Sequence, residues 1–168
     1  DSRECMLQHG CEMADANIAF IFDPGQNVGR FSAEELQTFM EQATYACFND
    51  YEARLLTEKT GKNLNELAKK VKALIVTLGA EGSHVYADGK HLLIPPVKAE
   101  AENDPTGCGD AYRAGLLFGI SNDFSIEKSA RLASLMGAIK IAHHGCQNHQ
   151  PSFAEIEKRY LAAFKEAL

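Results

Sequence analysis

Apolar residues recur at helical spacing from Cys5-Met6-Leu7 to Met13-Ala14, and Asn17 is placed to stop that helix. Ile18-Ala19-Phe20-Ile21-Phe22 is then a continuous apolar run closed by Asp23-Pro24-Gly25, which reads as a buried parallel strand feeding a loop. Ser32 with Glu35 three residues on predicts a capping box, and Leu36, Phe39, Met40 and Ala43 give the helix its apolar face. Ala46-Cys47-Phe48 reads as a very short strand running into Asn49-Asp50-Tyr51-Glu52. A helix is predicted from there to Thr60 with Gly61 as terminator, and a further short one over 64–71.

Leu74-Ile75-Val76-Thr77-Leu78 is a second buried strand, followed by Gly79-Ala80-Glu81-Gly82. Val85 and Tyr86, then Asp88-Gly89, then 91–94 predict a hairpin that Pro95-Pro96 ends. The helix after Gly109 carries Ala111, Ala114, Leu117 and Phe118 as its apolar stripe. Another helix is expected over 125–144. The last opens at Pro151-Ser152, with Ile156, Tyr160, Leu161 and Phe164 apolar. Strands alternating with helices imply an α/β fold with a mostly parallel sheet and right-handed crossovers. Ligands bind beyond the C-terminal strand ends of such sheets, which directs attention to 23–25, 49–52, 77–82 and 104–110.

Composition narrows the partners. Among 168 residues, 17 Lys and Arg stand against 23 Asp and Glu, a net charge of −6 with no basic run. Nucleic acid is therefore not an expected partner. An acidic total leaves a local anion site open, because helix N-termini bind phosphate through backbone N–H groups. No apolar run approaches the ~18 residues of a membrane span. The five cysteines (5, 11, 47, 108, 146) are odd in number and form no CxxC pair, a pattern of reduced cytosolic thiols.

Asp104-Pro105-Thr106-Gly107-Cys108-Gly109-Asp110 carries the strongest chemical signal. Gly107 and Gly109 permit a tight turn, and Thr106 is a candidate cap for the following helix. The N–H groups of 107–109 would then face an anion, with the Asp110 carboxylate beside it to take a proton from an attacking hydroxyl. The plainer alternative is a turn with a favourable first-turn acid. Asn49 and Glu52, at i and i+3, lie on one helical face and equally match a capping box. Thr77 to Gly82 has neither dinucleotide-fingerprint nor Walker form. His143, His144, Cys146 and His149 are too compressed for a paired zinc site, and a helix C-terminus before Gly145 accounts for the first two. Cys108, at a helix N-terminus, falls where thiol pKa is depressed; lacking a His partner, it reads as an oxidisable member of the anion hole.

Asp104 to Asp110 resembles the C-terminal signature of the ribokinase-like (PfkB) family of carbohydrate and nucleoside kinases, Asp-x-x-Gly-Ala-Gly-Asp, with Cys108 in place of Ala. The resemblance implies a three-layer α/β/α fold, Asp110 as catalytic base, and Gly107, Cys108 and Gly109 as anion hole. Asn49-Asp50-Tyr51-Glu52 is similar to the family's Asn-x-x-Glu motif, which implies that Asn49 and Glu52 govern Mg²⁺, indirectly, and phosphate. Thr77, Gly79 and Gly82 correspond to its nucleotide loop. Ser134 corresponds to an adenine-pocket position, with helix packing as the alternative. Asp104, His143 and Gly145 fall in loops that bind a monovalent cation, K⁺, in some members, although Gln147-Asn148-His149 departs from the ribokinase form. Asp23 resembles the family's Asp-Pro-x turn.

The expected activity is transfer of the ATP γ-phosphate to a hydroxyl of a sugar or nucleoside, with Gly145 to His149 leaning towards an adenosine-kinase-like member. A cytoplasmic site and a homodimer are expectations of the same kind. Family members are about twice this length, so 1–168 reads as the C-terminal portion of a kinase domain, entered mid-helix at Asp1, without the N-terminal portion and lid. Such an isolated portion would be inactive. Two alternatives remain: a nucleotide-binding module without catalysis, and a redox or metal protein using the scattered Cys and His.

Overall fold

The computed structural model describes residues 2–168. These form two compact units. One is the chain up to Leu78 with His84–Leu92; the other is Gly79–Ser83 with Leu93–Leu168. The first unit opens with α1 (Arg3–Asp15), which starts at a cap: the Ser2 hydroxyl accepts the Cys5 N–H. The expected mid-helix entry at Asp1 lies outside the described residues; the cap at Ser2 marks the helix start. Next come β1 (Ile21–Phe22), a 3₁₀ helix (Gly25–Arg30) and α2 (Ala33–Gln42). They lead to β2 (Tyr45–Asn49), α3 (Asp50–Thr60), α4 (Leu64–Ala68) and β3 (Ala73–Thr77). A hairpin follows, β4 (Ser83–Ala87) and β5 (Lys90–Ile94).

The sheet runs β1-β2-β3-β4-β5, with β1–β2 and β2–β3 parallel. The first strand is shorter than the apolar run 18–22. Asn17 turns left-handed at φ 54°, and the Ile18 N–H returns to the Met13 carbonyl, so the helix end consumes those residues. The second short helix also stops early. Lys70 and Val71 bond three residues back rather than four, so the end tightens into turns. Both capping boxes form as the sequence predicts, Ser32 with Glu35 and Asn49 with Glu52, and Gly61 ends α3 at φ 66°. Asp88 and Gly89 both take positive φ, as a two-residue hairpin turn requires.

The core of this unit is aromatic. Phe22 stacks on Phe39 at 4.3 Å between ring centroids, and Phe31 and Phe48 meet them edge-on. Leu36, Met40, Leu56, Leu74 and Val76 close round them. Gly10 of α1 lies against Phe39, so close that a Cβ would strike the ring. Arg3 of α1 pairs with Glu35 of α2, and Lys59 donates to the carbonyls of Gly29 and Phe31.

The second unit is built on α5 (Cys108–Ser121), α6 (Ile126–Ile141) and α7 (Phe153–Phe164). The buried face of α5 is Ala111, Tyr112, Gly115, Leu116 and Gly119; Ala114, Leu117 and Phe118 are exposed, contrary to the predicted stripe. The cause is close packing on α6. A Cβ on Gly115 would sit 2.9 Å from the Ala133 Cα, and one on Gly119 2.7 Å from the Ser129 Cβ. Small residues, not bulky ones, mark that contact. On α7, Tyr160 is buried against Leu132, Leu135 and Ile139 while Leu161 faces outward, correcting its place in the apolar set. No helix among the described residues is long and apolar enough to cross a membrane.

Phe39→Ala removes the ring at the centre of the aromatic core. It should cost about 3–5 kcal/mol in denaturant unfolding. A loss below about 1 kcal/mol would show that this core does not hold the first unit together.

Candidate active site

In the first unit, parallel register places Asn49 beside Thr77, the last residues of β2 and β3. Asn49 ends the strand and caps α3 at once. Its Oδ1 accepts the Glu52 N–H at 2.8 Å, and the Glu52 Oε2 accepts the Asn49 N–H at 2.8 Å. Glu52 is only 4% exposed, so its carboxylate is buried within the box. Among the described residues the Asn49 amide nitrogen and Glu52 Oε1 have no protein partner, which leaves an NH₂ group and a carboxylate oxygen for a ligand or its waters. The Thr77 hydroxyl makes a long 3.4 Å contact to the Phe48 carbonyl.

The second unit holds the rest of the sequence-predicted site. Gly79 (φ 59°) and Gly82 (φ 93°) bracket a 3₁₀ turn, with the Gly82 N–H on the Gly79 carbonyl at 3.3 Å. Nothing lies within 4 Å of a Cβ built on Gly79, so open space surrounds it. Gly82 is different. A Cβ there would collide with the Ile94 carbonyl oxygen and the Pro95–Pro96 backbone. Glycine is therefore required by the protein's own backbone at Gly82, whatever approaches Gly79. Ser134 on α6 donates to the Pro95 carbonyl at 3.1 Å, a contact that ties helix to strand end.

Asp104 organises the turn before α5. Its Oδ1 accepts the Thr106 N–H and its Oδ2 the Gly145 N–H, each at 2.8 Å. Those two backbone donors, first Thr106 and then Gly145, hold its carboxyl well below the usual carboxylate range, with the Lys140 charge adding to them. Thr106 is not the cap. Gly107, at φ 82° and with no side-chain bond, occupies that position, one residue after Thr106, whose N–H is already held by the Asp104 carboxylate. A Cβ on Gly107 would press 3.1–3.3 Å from Cys146, so this glycine answers both φ and space.

The donors at the helix start are divided. Cys108 N–H goes to the Pro105 carbonyl at 3.1 Å, since residues 105–108 form a tight turn. Among the described residues the N–H groups of Gly107, Gly109 and Asp110 have no partner, the condition in which a helix start receives an anion. Burial pushes the Cys108 thiol up, and Lys140 only partly opposes it, so the helix terminus does not yield the depressed thiol expected there. The Asp110 side chain is 83% exposed at the helix tip.

Two charged residues beside the candidate site escaped the sequence reading. The Arg113 guanidinium lies over Gly109 and 4.0 Å from Asp110 Oδ1, one turn along the same face. The signal was available as an i, i+3 acid–base pair. Lys140 is completely buried, and its ammonium donates to the Asp104 carbonyl at 2.7 Å. A lysine within Ala138-Ile139-Lys140-Ile141 was its only signal.

Known proteins resemble this chain. The family model described as pfkB family carbohydrate kinase matches residues 2–152. A nucleoside kinase of Methanocaldococcus jannaschii is 32% identical over 146 residues, 87% of this chain and 48% of that protein. A nucleoside kinase of Thermoplasma acidophilum is 36% identical over 142 residues, 82% and 45% respectively. Burkholderia thailandensis nucleoside kinase in complex with inosine superposes with a TM-score of 0.95 at 48% identity, over 97% of this chain and 54% of that one. Its ADP-inosine complex gives 0.94, with 48% identity, over 96% and 51%. The chain spans about half the length of the curated relatives it matches.

Gly82→Ala should destabilise the protein by at least about 2 kcal/mol without any ligand, from backbone strain and the Ile94 clash. Unchanged urea unfolding would return Gly82 to a purely ligand-facing role. Mapped alkylation at neutral pH should modify Cys108 more slowly than the exposed Cys5, Cys11 and Cys146. Faster reaction at Cys108 would contradict the raised thiol.

Proposed function

This chain belongs to the pfkB family of carbohydrate kinases, and we propose that the protein carrying it transfers the γ-phosphoryl group of ATP to a hydroxyl of a nucleoside. The observation that carries the reading is the start of α5. Unpartnered N–H groups at Gly107, Gly109 and Asp110 stand beside the exposed Asp110 carboxylate in the first turn of the helix. Such donors stabilise charge that grows on a phosphoryl group in transfer. Asp110 takes the proton of the acceptor hydroxyl as its oxygen bonds to phosphorus; the bond from phosphorus to the ADP oxygen breaks, and ADP leaves. Arg113, above Gly109, adds positive charge on the same side of the turn.

A nucleoside is preferred to a free sugar because the relatives above are nucleoside kinases, one of them solved with inosine and with ADP-inosine. Adenosine or another purine nucleoside is the acceptor proposed. Thr77, Gly79 and Ser134 are assigned to ATP, Gly79 for the open space around its backbone. Gly82 serves to shape that loop. Asn49 and Glu52 are assigned to Mg²⁺ through its waters. An amide and a single free carboxylate oxygen suit an ion that keeps most of its hydration shell. The ion, when bound, neutralises phosphate charge. Five free thiols fit a reducing, cytoplasmic setting.

Asp110→Asn in the whole protein tests the base. Turnover, followed as ADP release with a purine nucleoside, should fall on the order of 10²–10⁴-fold with substrate KM little changed and the fold intact. Undiminished turnover would remove Asp110 from that role. ATP binding without turnover in the unaltered protein would support the non-catalytic module instead.

A further inference from the structure

Lys140 has no solvent exposure, and a buried ammonium persists only where its donors are satisfied. Its Nζ donates to the Asp104 carbonyl at 2.7 Å and to the His143 carbonyl at 3.1 Å. The first carbonyl belongs to the turn that leads into α5. The second belongs to the segment that leaves α6. Asp104 joins the same two segments through its carboxylate, on Thr106 and on Gly145. A positive charge therefore sits where two loops converge and is held by backbone carbonyl oxygens, the chemistry by which proteins also hold a bare potassium ion.

The resemblance drawn from the sequence implies a monovalent cation at these loops. The residues present do not fit one. The carbonyls of Asp104 and His143 already receive the ammonium, and both carboxylate oxygens of Asp104 already receive backbone N–H groups. A second cation beside Lys140 would meet direct repulsion. We infer that Lys140 is a positioning residue whose tethered ammonium takes the place of a free monovalent cation. It pins the 104–109 turn to the 143–145 segment and makes the phosphoryl-transfer site independent of potassium. The inference rests on the phosphoryl-transfer reading for its link to turnover, but not for its link to loop order.

Three proteins test it: the unaltered whole protein, Lys140→Ala, which leaves room for an ion, and Lys140→Met, which fills the space without charge. At constant ionic strength the unaltered protein should turn over within about twofold in potassium, sodium or choline chloride. Lys140→Ala should lose on the order of 10- to 100-fold and regain most of it with potassium or methylammonium. Lys140→Met should lose as much and regain nothing. Amide exchange at Thr106 and Gly145 should follow the same pattern, with protection lost in both variants and restored by the ion only in Lys140→Ala. Strong potassium activation of the unaltered protein would overturn the inference, and so would unchanged exchange in the variants or a loss that no cation relieves in Lys140→Ala. If the unaltered protein shows no turnover, the kinase reading fails and the exchange pattern alone decides this one. If neither variant folds, the salt dependence of the unaltered protein decides it.

Discussion

One buried charge and one carboxylate set the geometry of the turn before α5. The Lys140 ammonium fixes the Asp104 main chain, and the Asp104 side chain fixes Thr106 and Gly145. With the Thr106 N–H held by Asp104, Gly107 takes the left-handed cap position, where Cys146 would crowd any Cβ. The free N–H groups of Gly107, Gly109 and Asp110, and the exposure of Asp110, follow from that placement. Loss of the ammonium would leave the Asp104 and His143 carbonyls without their donor, and loss of the carboxylate would leave the Thr106 and Gly145 N–H groups without their acceptor.

Local hydrogen-bond chemistry was the most legible part of the sequence. Ser32 with Glu35 and Asn49 with Glu52 were readable because a capping box needs only four consecutive positions. The hairpin at Asp88-Gly89 was readable because its turn demands positive φ. Phase on α5 was not. Hydropathy gives weight to bulk, so Leu117 and Phe118 looked like the core face, whereas the packing face is drawn by Gly115 and Gly119 against Ser129 and Ala133. A strand expected over 18–22 shrank to two residues because the α1 end claimed Asn17 and Ile18, a backbone bond that an apolar pattern does not record.

The candidate chemistry divides in the same way. Asp110 and its glycines form a contiguous segment and could be read from order alone. The Asn49–Thr77 neighbourhood needed strand register, yet both residues were singled out at strand ends. Lys140 was hidden, because its meaning lies in two carbonyls, one of them 36 residues away. Gly82 was legible as a glycine but not in its reason, since the Ile94 carbonyl that requires it lies on another strand. Chain order shows which residues are chemically capable; tertiary partners decide which of them are free to act.

Phosphorus NMR of the whole protein with ATP, Mg²⁺ and a purine nucleoside bears most directly on the central claim. ADP and a nucleoside phosphomonoester should appear in equal amounts, with no inorganic phosphate beyond background. ATP that stays intact, or ADP formed only with inorganic phosphate, would contradict phosphoryl transfer to a nucleoside hydroxyl.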